Sequence, residues 1–311
     1  MARRSASSSV PPVPPESQFR CGFVALVGRP NVGKSTLLNA LVGSKLAIVS
    51  PRPQTTRTRL LGIRTFPHAQ LVFVDTPGIH THAGPLLNRR MVEVAFNALA
   101  ETDVAVFLVD AERGITPTDQ EIGRRLGEGA GPVVVVLNKI DRVAKPVLLP
   151  LLEQLAALLP EREIVPVSAL TGENLAELMP IIIGLLPVGP ALYPDDELTD
   201  QSERVLAQEM IREQVFLQTK QEVPYATAVI VEEFTEKPEK RVLFLRAVIM
   251  VERSSQRAII IGERGARLKQ IGQAARLQLE AFFGYKVFLE LFVKVSKGWT
   301  NSQYLLKEFG L

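Results

Sequence analysis

The chain has 311 residues, 46% of them hydrophobic and 22% charged, a balance that suits a globular protein of more than one domain. A single cysteine, Cys21, excludes an intrachain disulfide framework and suits a reducing compartment; the longest apolar run, Val242 to Val251, is interrupted by Arg246 and is too short to cross a bilayer. The net charge of +3 hides an asymmetry, because Lys237 to Lys297 carries 13 Lys and Arg against 5 Asp and Glu, which points to a polyanion partner for the C-terminal part.

Residues 1–18 are rich in Ser and Pro and lack the apolar stretch of a secretory signal. Pro11, Pro12, Pro14 and Pro15 leave little room for an amphipathic transit helix, so a disordered tail is expected. Phe23 to Val27 then reads as a buried strand, and Thr36 to Val42, closed by Gly43, as a helix. Between them stands Gly28-Arg29-Pro30-Asn31-Val32-Gly33-Lys34-Ser35, followed by Thr36. A glycine loop of this spacing, set between a strand and a helix, turns backbone N–H groups toward phosphate oxygens at a positive helix end. Lys34 would reach the β- and γ-phosphates, and the Ser35 hydroxyl would hold Mg²⁺.

Prolines and polar residues from Ala47 to Arg57 forbid regular structure, and this loop lies where a nucleotide-sensing switch would. A threonine hydroxyl there would complete the Mg²⁺ shell; adjacent Thr55 and Thr56 leave the choice open, with Thr56 preferred. After a strand near Arg59 to Phe66, the strand Leu71 to Val74 ends in Asp75-Thr76-Pro77-Gly78. Asp75 suits a second Mg²⁺ contact, and Gly78 offers a backbone N–H that approaches the γ-phosphate. Ile79 to Pro85 reads as mobile, and Leu86 to Ala100 as a helix.

Val104 to Val109 and Val133 to Leu137 are further apolar strands, the second delivering Asn138-Lys139-Ile140-Asp141. The Asp141 carboxylate can accept from both N1–H and the 2-amino group of guanine, an arrangement adenine does not present. Lys139 can lie along the base and Asn138 can tie this loop to the phosphate loop, while Ser168-Ala169-Leu170, after the short strand Ile164 to Val167, would face guanine O6. His68, His80 and His82 stand in or beside loops without paired cysteines, so no metal beyond Mg²⁺ is assigned.

Leu175 to Leu186 reads as a helix ending the first domain (19–187), and the Pro-rich, acidic stretch 188–200 as a linker. A second domain (201–311) follows: a helix from Ser202 to Phe216, alternating strands Ala226 to Phe234 and Val242 to Val251, an apolar run Ala258 to Ile261, a G-x-x-G turn, a basic helix to Phe282 and a strand Lys286 to Val295. Gly262-Glu263-Arg264-Gly265 would let a nucleic-acid backbone pass closely, as in KH domains. Ile260 and Ile261 would line a groove for unstacked bases, and Arg264, Arg267 and Lys269 would meet phosphates.

These motifs, in this order, resemble the TRAFAC GTPases, and Asn31 in the phosphate loop with the double Thr before Arg57 resembles the Era branch. The G-x-x-G segment, the α-β-β-α-β order and Lys294-Val295-Ser296-Lys297-Gly298-Trp299 resemble the C-terminal type II KH domain of the Era family, so the likeness spans the chain beyond the tail. The fold implied is an α/β P-loop domain with a mostly parallel sheet and flanking helices, followed by a smaller α+β type II KH domain. The activity implied is hydrolysis of GTP to GDP and phosphate, with Asn31, Lys34, Thr56 and Gly78 in catalytic roles. Ile79 stands where related GTPases carry a water-orienting Gln; the resemblance implies a K⁺ ion, held partly by Asn31, in compensation. It also implies a monomeric cytoplasmic factor that binds 16S rRNA, assists assembly of the 30S ribosomal subunit and touches the inner face of the cell membrane. Two other readings stay open: a nucleotide-gated adaptor whose basic domain meets anionic lipid or acidic partners, and an ATPase, which Asp141 argues against.

Overall fold

A computed structural model describes residues 19–50, 52, 55–57, 59–78, 101–129 and 131–308. The expected tail, Ile79 and the helix expected over 86–100 lie outside the described residues.

The N-terminal part is a six-stranded sheet in the order β2-β3-β1-β4-β5-β6. Its strands are β1 (Arg20–Val27), β2 (Leu60–Phe66), β3 (Ala69–Asp75), β4 (Val104–Asp110), β5 (Val133–Asn138) and β6 (Ile164–Val167). All neighbours are parallel except β2, which runs antiparallel to β3. Helices cover both faces, so β3, β4 and β5 are buried at every position and their sequences are nearly continuous apolar runs rather than alternating ones. Among the described residues the helices are α1 (Lys34–Val42), α2 (Pro117–Glu128), α3 (Lys145–Leu158) and α4 (Leu175–Leu185). Because β1 lies between β3 and β4, the chain leaves its C-terminal end at the point where strand order reverses, the position at which open α/β sheets bind ligands.

Residues 188–200 are strapped to this sheet. Val188 bridges to Arg20, and buried Gln70 accepts from the Leu192 and Tyr193 amides at 2.8 and 3.0 Å while donating to the Tyr193 carbonyl at 2.8 Å. Tyr193 packs on Leu61, Ile63, Val72 and Val74, and the Ile63 amide donates to the Leu198 carbonyl.

The C-terminal part pairs β7 (Thr227–Lys237) and β8 (Val242–Val251) antiparallel, and β8 and β9 (Lys286–Val295) parallel. Its inner face carries α5 (Glu203–Gln218), α6 (Ser254–Ile261) and α7 (Ala266–Phe283), while the short α8 (Gln303–Glu308) follows Trp299. The order is therefore α-β-β-α-α-β. The apolar run Ala258 to Ile261 belongs to α6, whose Gln256 side chain accepts from the Glu252 and Arg253 amides at 2.9 and 3.0 Å and fixes the first turn. This corrects the expected α-β-β-α-β order. It also corrects the role expected of Ile260, which is fully buried in the core with Ile271, Ala275 and Leu279, while half-buried Ile261 packs against the same core. Among the described residues no helix is long and apolar enough to cross a membrane.

Candidate functional site

A cleft of about 610 Å³ opens at the C-terminal ends of β1, β3, β4 and β5 and is lined by the motif residues. Gly33 shows why the loop needs a glycine there. Its φ is 102°, and a Cβ would stand 2.2 Å from Asn138 Nδ2. That amide nitrogen donates to the Val32 carbonyl at 2.8 Å, and Asn138 Oδ1 accepts from the Ala169 amide at 3.0 Å. Asn138 thus ties the phosphate loop to the Ser168–Leu170 loop. Arg29 turns away from the cleft: its Nε donates to Asp119 Oδ2 at 2.8 Å, and Asp119 is both buried and the capping residue of α2 with Thr116. Arg29 contributes its backbone to the loop, not its side chain.

At one end of the cleft, Ser35, Thr56 and Asp75 converge. Asp75 Oδ2 accepts from Ser35 Oγ at 2.8 Å and from Thr56 Oγ1 at 2.9 Å, and the two hydroxyls lie 3.0 Å apart. It is the Thr56 hydroxyl, not that of Thr55, that meets them. Among the described residues Asp75 Oδ1 is buried with no hydrogen-bond partner, and burial pushes its carboxyl above the ordinary range, partly offset by Lys34. An orphaned carboxylate oxygen beside two hydroxyls is the donor set that a hard cation such as Mg²⁺ takes. Lys34 Nζ donates to the carbonyls of Gly28 and Arg29 at 3.1 and 3.2 Å, and burial lowers its pKa to about 8. Thr36 lines the same wall, the Thr76 hydroxyl donates to the Leu26 carbonyl at 2.9 Å, and Pro77 carries the chain to Gly78, which packs on Pro30.

At the other end, Asp141 Oδ1 accepts from Ser168 Oγ at 2.6 Å, and exposed Leu170 edges the cleft. Lys139, at φ 67°, donates from Nζ to the Asn31 carbonyl and to Asp110 Oδ2, both at 2.7 Å. Asp110 is fully buried and aligned with Asn138 in the β4–β5 register, so parallel pairing delivers both to one level. Ile140 is buried beneath this turn. Sequence reasoning missed Asp110; an acid ending the apolar strand β4 was its signal. Glu112, Arg113 and Arg142, which also line the cleft, follow no motif.

A second concavity, about 590 Å³, lies between the first half of α7 and β9, with Gly265 at one end. Its walls are Leu268, Lys269, Gly272, Gln273 and Arg276 from the helix and Leu289 and Leu291 from the strand. The apolar floor comes from β9 rather than from the isoleucines before the turn. Gly262 has φ 73°, and a Cβ there would stand 2.8 Å from that of Arg267. Glu263 and Arg264 are exposed on the turn. Arg267 folds back to donate from one guanidinium nitrogen to the Ile259 carbonyl at 2.8 Å, capping α6. Gly272, Gln273, Arg276, Leu289 and Leu291 were not singled out in sequence, because they are contiguous only once α7 lies along β9.

The comparisons with known proteins agree with this geometry. The family described as 50S ribosome-binding GTPase matches residues 23–139, and the KH domain family matches residues 222–300. Among curated relatives, GTPase Era of Geotalea uraniireducens is 51% identical over 297 residues, covering 95% of this chain and 99% of its own, and GTPase Era of Azotobacter vinelandii is 49% identical over 296 residues, covering 95% and 98%. A crystal structure of Era in complex with MgGDPNP and nucleotides 1506–1542 of 16S ribosomal RNA superposes with a TM-score of 0.90 at 43% identity, covering 94% of this chain and 99% of that one. A single-substitution variant of Aquifex aeolicus Era bound to GDP·AlF₄⁻ gives 0.89 at the same identity and coverage. Matched at about half identity over nearly its whole length, with the motifs brought into one cleft and a KH domain behind it, the chain belongs to the Era family of GTPases.

Proposed function

We propose that this chain is a GTP-hydrolysing switch: residues 19–187 bind Mg²⁺ and GTP, residues 201–311 bind 16S rRNA, and the protein assists assembly of the 30S subunit and maturation of its rRNA. The observation that carries the reading is the single cleft with the Ser35–Thr56–Asp75 cluster at one end and Asp141 at the other. GTP placed along it has its guanine edge at Asp141, backed by Ser168, Ala169 and Leu170, and its phosphates in the loop from Gly28 to Thr36.

Hydrolysis is attack of water on the γ-phosphorus in line with the departing GDP, so the protein's work is positioning and neutralisation of charge. Lys34 exchanges its loop carbonyls for phosphate oxygens, and the Gly78 amide faces the γ-phosphate. Mg²⁺ would be held by Ser35, Thr56 and Asp75, and supplies positive charge to the phosphate oxygens. An isoleucine at position 79 cannot orient water, so a K⁺ ion held partly by Asn31 is the proposed further source of charge. Asn31 stands at the mouth of the cleft with φ 66°.

The rRNA strand follows the Gly262–Gly265 turn onto α7, with Arg264, Lys269 and Arg276 toward phosphates and Leu289 and Leu291 toward bases. That a relative was solved with a 16S rRNA segment supports rRNA as the ligand. The protein acts in the cytoplasm as a monomer, with peripheral contact at the inner membrane face through its basic domain. Binding to a 16S 3′-end oligonucleotide, measured beside anionic vesicles at matched salt, tests the reading. Salt-sensitive RNA binding lost in Arg264→Glu is expected; vesicle binding without RNA binding returns the protein to the adaptor class. Equal turnover in Na⁺ and K⁺ buffers removes the K⁺ ion.

A further inference from the structure

Thr56 lies in a loop with no regular structure of its own, and its neighbours are held by the other domain. The Arg57 guanidinium is buried in the KH part of the molecule, where NH1 donates to the Thr227 carbonyl at 2.7 Å and NH2 donates to those of Pro224 and Tyr225 at 3.1 and 2.9 Å. It also lies 6.0 Å from the Phe216 ring centroid and 5.8 Å from that of Trp299, itself wholly buried. Three carbonyls and two aromatic faces form a complete cage for a planar cation.

The contacts on either side run the same way. Arg52 donates to the carbonyls of Phe216 and Thr219, and Arg212 of α5 donates to the Thr55 carbonyl. Buried Glu213 accepts from the Val49 amide at 3.0 Å and pairs with Lys45 at 2.7 Å. Its Oε2 also accepts from Gln278 of α7 at 2.7 Å, and the first half of that helix lines the RNA groove. A loop closed on the nucleotide from one side only would carry no such set of buried, directed bonds to a second domain.

We propose that Arg57 is a positioning residue for GTP hydrolysis: caged in the RNA-binding domain, it holds Thr56 against Ser35 and Asp75, so the cation site is complete only while the two domains are docked. This role rests on the reading of Ser35, Thr56 and Asp75 as the Mg²⁺ ligands. GTP needs the Thr56 contact and GDP does not, so the cage biases the protein between its nucleotide states.

The test uses the full-length protein with Arg57→Ala, Arg57→Lys and Thr56→Ala, measuring kcat for GTP and the affinities for GDP and a non-hydrolysable GTP analogue. Arg57→Ala is expected to lower kcat by roughly 10- to 100-fold, the size of effect that misplacing a positioning group produces. It should weaken the GTP analogue while leaving GDP affinity as in the wild type. Arg57→Lys should behave like Arg57→Ala, because an ammonium cannot span the three carbonyls as a planar fork. Wild-type turnover and analogue affinity in Arg57→Ala overturn the proposal. So does an equal loss of GDP and analogue binding together with a lowered Tm, which marks a purely structural residue. If Thr56→Ala is impaired and Arg57→Ala is not, the cage alone is wrong; if Thr56→Ala turns over normally, the cation reading beneath it fails as well.

Discussion

The nucleotide cleft and the groove on α7 are built in opposite ways. In the cleft, almost every polar group is already engaged by another part of the protein: Asn138 by Val32 and Ala169, Lys139 by Asp110 and Asn31, Asp141 by Ser168. In the groove, Lys269 is exposed, Arg276 is half exposed with Glu280 3.9 Å away, and the apolar floor is two leucines of an edge strand. The difference matches the ligands proposed for them. A single small molecule of fixed shape rewards a preorganised cage, whereas a strand read partly through its backbone needs an open, charged track. Substitutions in the cleft should therefore act steeply and on one ligand, and those in the groove shallowly and through salt.

The steepest case is Asp141→Asn. An amide offers one acceptor where guanine presents two donors, and its NH₂ opposes the 2-amino group. Two charge-assisted hydrogen bonds to a base are worth about 3 kcal/mol or more together, so guanine nucleotide affinity should fall by ~100-fold or more. Xanthine nucleotides, which carry a carbonyl at that position, should gain. Competition between labelled GDP and XDP reads the exchange directly, and an unchanged preference for guanine would remove Asp141 from the base contact.

Next is Gly33→Ala. The new Cβ must displace Asn138 Nδ2 and adopt a φ of 102°. Strain and the lost tie together should cost about 2–3 kcal/mol of stability, seen as a lowered Tm, along with weaker GDP binding. Gly265→Ala, in the groove's turn at φ 81° with no described residue within 4 Å of its Cβ, should cost less than half as much. Equal costs at the two glycines would erase the contrast between caged and open sites.

Legibility in sequence follows the same divide. The cleft was readable because its groups come from short motifs that sit at strand ends, where the parallel register brings them level: Ser35 after β1, Asp75 at the end of β3, Asn138 at the end of β5. The six-stranded sheet was readable from its apolar runs. Asp110 escaped because its one signal, an acid ending an apolar strand, gains meaning only when β4 aligns it with Asn138 of β5. In the second domain the G-x-x-G turn was readable, but its surroundings were not. Four apolar residues in a row do not distinguish a buried strand from a buried helix end, so α6 was missed and Ile260 was assigned to a groove it does not face. Arg57 was legible only as part of a family-like pattern. Its cage is assembled from residues far along the chain, and carbonyl acceptors leave no trace in side-chain identity.

The groove itself is probed by filling it and by discharging it. Gly272→Val places a branched side chain against Leu291, whose Cδ1 would already stand 3.4 Å from a Cβ at that position. RNA affinity should fall about tenfold, or ~1.4 kcal/mol, with GTP turnover in the absence of RNA unchanged.

The smallest effect expected is that of Arg276→Ala, and it is the most specific in kind. Arg276 is roughly half exposed, so its interaction with Glu280 contributes little to stability and the fold should be indifferent to its loss. If it neutralises one phosphate, RNA affinity should drop only a few-fold at moderate salt, and the slope of log K against log[salt] should shrink by about 0.7, the value for one contact on a single strand. Gly272→Val should weaken binding with the slope intact, because it removes space and not charge. An Arg276→Ala protein that loses affinity at every salt concentration with no change in slope would show Arg276 reading a base edge rather than the backbone. The groove would then resemble the cleft, with a directed contact where the structure places an open track.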